Sequence, residues 1–159
     1  MTYQSRTRED FDAIVTGELT HYAIWLENVL IGVISDFFSP PRLRGHFERL
    51  LLRRDRLTFQ DKIEIVRAML PLFHNQGAAG RLKSLLPKVE EFKANRNAFA
   101  HGVDVTPSEI SPPTIHVEIV TRSGKEKVVE VTPEAHEASL TRAEALLKEL
   151  QDVRGQLCV

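Results

Sequence analysis

"KANRNAFAHG", residues 93–102, closes a helical run and stands just before a change of period. Ahead of it, Leu82, Leu85, Leu86, Val89 and Phe92 recur three and four residues apart, and Phe99 extends the series. That is the spacing of one helix face. After a proline-rich stretch, "TIHVEIVT" at 114–121 alternates and "KEKVVEVT" at 125–132 is rich in valine, with "RSGK" at 122–125 between them. Alternation is the mark of a strand. The reading is therefore a helix from about Ala79 to Ala100, with Gly102 as the C′ residue that ends it. A β-hairpin follows at about 114–132. Pro87 must then stand near the helix start or kink it.

Upstream, Phe11, Ile14, Val15, Leu19, Tyr22, Leu26, Val29, Leu30, Val33 and Phe37 predict a first helix over about 10–38. Its second half is apolar nearly all round, so it should meet more than one helix, or a second subunit. The "SPPR" at 39–42 stops it. A short helix over about 43–54 should follow, with Phe47, Leu50 and Leu51 at helical spacing. Its arginines read as a solvated face or as a phosphate-attracting patch. Thr58, with Asp61 three residues on, reads as a variant capping box for the next helix, and "HNQGAAG" at 74–80 as the break after it. Thr132 and Pro133 open a last helix to about Val153, leaving a frayed tail at 154–159. The fold expected is mainly all-α: an up-and-down bundle with one hairpin inserted before the last helix, as a single domain over 1–159.

The chain has 159 residues, 42% hydrophobic and 27% charged, with a formal net charge of -1. A composition of this kind suits a soluble globular domain. Without a strong positive charge, nonspecific binding to long nucleic acid is not the expected main activity. The single cysteine, Cys158, suits a reducing cytoplasm, and no apolar run is long enough for a bilayer. Its N-terminus, "MTYQSRTRED", has no signal-peptide character. No membrane association and no cofactor are expected.

The chemistry is concentrated in Arg96, Asn97 and His101. Asn97 and His101 are four residues apart and share a helix face. Arg96 lies about 140° around the helix from His101. The two meet one ligand only if the helix loosens or a second subunit closes the site. Arginine offers a planar fork to a phosphate, and histidine exchanges protons near neutral pH.

"RNAFAH", at the end of a bundle helix, resembles the signature of the HEPN superfamily: an arginine, four to six residues and a histidine, often with a polar residue after the arginine. The helical order of most of the chain resembles it too, whereas the hairpin departs from a minimal helical unit. The resemblance implies a metal-independent endoribonuclease, a toxin or defence component. Its 2′-OH attack would leave a 2′,3′-cyclic phosphate. It also implies a homodimer whose two motifs line one cleft, with RNA as substrate and a cognate antitoxin or regulatory protein as partner. On it Arg96 contacts phosphate, Asn97 positions groups and His101 handles protons. Two other readings fit the same residues: a noncatalytic module that binds a nucleotide or a protein, and a structural helical dimer in which these side chains only cap the helix.

A looser match, Arg67 to His74 in "RAMLPLFH", lacks the polar residue and contains Pro71, so it reads as a decoy. His116 reads as surface or edge of a strand, His136 as a solvent position, and Trp25 as core or interface packing. No two of these histidines, nor Cys158 with any, have metal-ligand spacing.

Overall fold

The apolar stripe from Phe11 winds into α1 (Arg8–Phe38), which Thr7 starts by accepting the Asp10 N–H on its hydroxyl. The computed structural model describes residues 6–120 and 123–157. A 3-10 turn (Pro41–Leu43) leads into α2 (Arg44–Phe47), which continues as a π turn (Glu48–Leu52). Then come α3 (Phe59–Met69), α4 (Gln76–His101), the strands β1 (Val103–Asp104), β2 (Ile115–Val120) and β3 (Glu126–Val131), and α5 (Pro133–Leu157). The chain is mainly helical, with one small antiparallel sheet in the order β1-β2-β3. It divides into two units, Met1–Ala23 with Phe92–Glu144, and Ile24–Glu91 with Ala145–Val159.

The first unit holds the sheet. Ile115 pairs with Val131 and Val117 with Val129, within the hairpin that the alternation predicts. Ile115, Val117 and Val131 are buried, as are Phe11, Val15 and Leu19 of α1. A third strand, β1, was not foreseen: Val103 pairs with Glu118 and Asp104 with Val117. This makes β2 the central strand, so His116 is half-buried and not at an edge. Thr132 caps α5 through the Ala135 N–H. His136 is not a solvent position: it is 2% exposed, its Nε2 lies 2.6 Å from Glu18 Oε2, and its ring meets Phe11 edge-on.

In the second unit, every residue of α1 from Val29 to Ser35 is buried. The apolar surplus of that stretch is thus consumed within the chain. A Cβ at Gly32 would displace the Arg154 guanidinium, which binds Asp36 at 2.7 Å. Thr58 and Asp61 form a reciprocal capping box. Lys62 is buried with its ammonium held by Glu27 and the Leu57 carbonyl.

Several boundaries are corrected. In α4, Asn75 accepts the Ala78 N–H, so the helix begins at Gln76 and "GAAG" lies inside it. Ala78 and Ala79 are buried, which offsets the helix cost of the glycines, about 1 kcal/mol each. Pro87 stands about three turns in, not near the start. The π turn changes which side of the short helix faces inward. Leu52 is buried, whereas Leu50 and Leu51 are exposed and Phe47 is half-buried. The end of α5 does not fray at 154, since the helix runs to Leu157, itself 2% exposed. Cys158, Arg122 of the hairpin turn and the first residues of the N-terminus lie outside the described residues.

Candidate functional site

Arg96, Asn97 and His101 occupy the last two turns of α4, in the first unit. The helix is regular through His101. Asn97 and His101 therefore share a face and are both exposed, while Arg96 stays about 140° from His101. The half-buried Arg96 donates from Nη1 to Asn97 Oδ1 at 2.9 Å. Its Nε is buried without a hydrogen-bond partner among the described residues. Neither Arg96 nor His101 is spent on a helix-end carbonyl among the described hydrogen bonds. The Arg96–Asn97 bond turns the asparagine carbonyl towards the guanidinium, which leaves the amide N–H2 as the donor Asn97 can offer a ligand.

Gly102 ends the helix for a reason other than the one its position suggested. Its φ is not positive, so it is not a left-handed C′ residue. A Cβ there would collide with Val117 Cγ1 and lie 2.7 Å from the Ala98 carbonyl oxygen. The glycine lets β2 pass against the end of the motif helix.

That crossing brings together groups that no local pattern signals. Asp104, two residues past Gly102, accepts the Thr106 hydroxyl and its backbone N–H. The hydroxyl bond first, then the backbone bond, and more weakly the charges of Arg8 and His116, hold its carboxyl below the usual carboxylate range. Asp12 of α1 is shifted the opposite way, raised by burial and then by Asp104. Arg8 itself donates to the Ile110 carbonyl at 2.5 Å and so pins the loop that follows β1. His116 donates its backbone N–H to Thr106 Oγ1, and its ring Nδ1 is buried without a partner among the described residues. Asp12 and Asp104 are far apart in sequence, so only the fold could pair them.

The decoy separates physically. Arg67 lies on α3 and is bound by Glu64 at 2.6 Å and Glu90 at 2.9 Å. These bonds, that to Glu64 first, hold its pKa above the ordinary value. His74 is exposed beyond the helix end. Trp25 is 47% exposed and lines an open hollow of about 490 Å³ in the second unit, with Asn28, Val29, Leu147, Gln151 and Arg154. None of the motif residues lines that hollow.

Among the described residues, no group of three or more His, Cys, Asp or Glu side chains is placed to share a metal ion. No described helix is long and apolar enough to cross a membrane. Comparison with known proteins gives no match, whether to a family model, a curated protein or a solved structure.

Proposed function

We propose that the protein is a metal-independent endoribonuclease of the HEPN type, acting as a homodimer. One observation carries the reading: His101 and Asn97 stand exposed on one face at the end of α4, beside an arginine that binds only Asn97 among the described residues. A guanidinium, an amide and an imidazole are groups that can serve a phosphodiester transfer. Because α4 is regular through His101, Arg96 and His101 of one chain do not converge. The working site therefore combines Arg96 of one copy with His101 of the other, and two-fold symmetry supplies it twice.

In that site Arg96 binds the scissile phosphate and stabilises the charge added in the pentacoordinate transition state. Asn97 orients Arg96 and donates to a phosphate or ribose oxygen. His101 takes the 2′-OH proton as that oxygen attacks phosphorus. The bond from phosphorus to the 5′ oxygen breaks, and water protonates the departing oxygen. The products are a 2′,3′-cyclic phosphate and a 5′-hydroxyl end. The cellular role that follows is that of a toxin or defence nuclease held in check by a partner protein.

Incubation of the purified chain with diverse RNAs tests this. Cleavage should persist in chelator and leave cyclic phosphate ends, and RNA with a blocked 2′-OH at the cleavage site should resist. His101→Ala and Arg96→Ala should each abolish cleavage with melting curves unchanged, and His74→Ala should have no effect. No cleavage of any RNA would favour the noncatalytic binding module.

A further inference from the structure

The stretch from Phe38 to Arg56 differs in charge from the rest of the chain. It carries Arg42, Arg44, Arg49, Arg53, Arg54 and Arg56 against only Glu48 and Asp55. That is a local excess of four positive charges in a chain of net charge -1, so the remainder carries a net -5. Arg44 and Arg53 are committed internally, to Asp36 and to Glu48 with Asn28. The others face outward. Arg49 and Arg54 each fold back so that Nε donates to a backbone carbonyl four residues earlier, Gly45 at 3.1 Å and Leu50 at 3.2 Å. The inner edge of each guanidinium is thereby fixed and its terminal nitrogens are presented to solvent. Arg49 keeps one loose contact there, to His46 at 3.4 Å. Arg42 and Arg56 are exposed and hold no partner among the described residues.

Among these arginines stand large apolar side chains. Phe38 is 55% exposed, Leu43 47%, Leu50 59% and Leu51 56%. Phe38 is not loose: it packs edge-on against Phe37, which in turn packs against the buried Phe73. The π turn is what sends two consecutive leucines outward while burying Leu52. Such turns are frequent at functional sites. Exposed aliphatic groups bounded by cations are not what a solvated face requires.

We propose that this surface docks an acidic amphipathic segment of a partner protein. Its aliphatic side chains would cover Phe38, Leu43, Leu50 and Leu51, and its carboxylates would enter the forks of Arg42, Arg49, Arg54 and Arg56. Carboxylates match the preset forks in pairs of hydrogen bonds. RNA would satisfy the arginines but leave three leucines uncovered, because bases stack on flat rings. An anionic bilayer would bring its headgroups against the exposed carboxylate of Asp55, set between Arg54 and Arg56. A protein segment can place a cation at that point. The inference stands apart from the ribonuclease reading and survives its failure.

Short random peptides displayed on phage, selected on the immobilised full chain, test the proposal. The wild-type surface should enrich peptides that combine glutamate or aspartate with leucine or isoleucine. Leu43→Ser/Leu50→Ser/Leu51→Ser should weaken binding of the selected peptides on the order of tenfold or more. Arg42→Glu/Arg49→Glu/Arg54→Glu/Arg56→Glu should reverse the charge preference to lysine-rich peptides that keep their aliphatic residues. Far-UV melting identifies any variant that fails to fold, and single Leu50→Ser then replaces the triple. Absence of an acidic-aliphatic consensus, or one that the substitutions leave unchanged, overturns the proposal. So does binding to phosphatidylglycerol vesicles, or to single-stranded RNA, that these substitutions abolish while no peptide consensus exists.

Discussion

At Gly102, one hydrogen in place of a methyl group decides whether β2 can cross the end of the motif helix. A Cβ there would collide with Val117 Cγ1 and crowd the Ala98 and Glu118 carbonyl oxygens. Backbone oxygen cannot move aside as a flexible side chain can. Gly102→Ala should therefore destabilise the protein by about 1–3 kcal/mol in urea unfolding, and an unchanged midpoint would contradict the crossing. Arg96→Lys should cut RNA cleavage on the order of a hundredfold, since an ammonium cannot hold both Asn97 and a phosphate in one plane. Cleavage at wild-type rate in that variant would remove Arg96 from the site. The three motif residues could be picked out in the sequence because identity and spacing are local properties. The grouping of Asp12, Asp104 and His116 could not, because β2 and α1 meet Asp104 only after folding. Likewise the burial of His136 could not be read locally, because its partner Glu18 lies 118 positions away.

Elements announce themselves in sequence when their signals are short-range. The hairpin, the caps at Thr58 and Thr132, and the first helix were all legible from period and capping chemistry. The two-residue β1 was not, since two residues carry no period. The early start of α4 was masked by its glycines, which burial of Ala78 and Ala79 overrides. The outward facing of Leu50 and Leu51 was not legible, because a π turn adds a residue to the turn and moves every later side chain around the axis. The box at α3 gives a test with a defined sign. Thr58 donates to Asp61 from its hydroxyl and then its backbone N–H, and both lower the Asp61 pKa, against a small opposing effect of desolvation. A carboxyl whose folded pKa is depressed stabilises the fold above its unfolded pKa and loses that contribution as pH falls through the folded value. Thr58→Ala should therefore lower the melting temperature by about 2–4 °C at neutral pH. The gap between wild type and Asp61→Asn should narrow as the pH drops below the ordinary carboxylate range. A gap constant down to the acid limit would mean that the Asp61 charge plays no part in the cap.

For the molecule as a whole, the central claim is that catalysis needs two copies. Within α1, Val29–Ser35 do not argue for it, because they are buried inside one chain, although Trp25 and Phe38 remain 47% and 55% exposed. What argues for it is the regular α4, which holds Arg96 and His101 about 140° apart. Light scattering should accordingly give twice the chain mass at micromolar concentration. Mixing inactive variants tests the claim most directly. Arg96→Ala and His101→Ala chains, unfolded together, refolded and assayed on RNA, should each be inactive alone. Random pairing makes about half the dimers mixed, and each mixed dimer rebuilds one of two sites, so about one quarter of wild-type cleavage should return. Mixtures as inactive as the separate variants, with heterodimers verified by mass, would contradict a site shared between subunits.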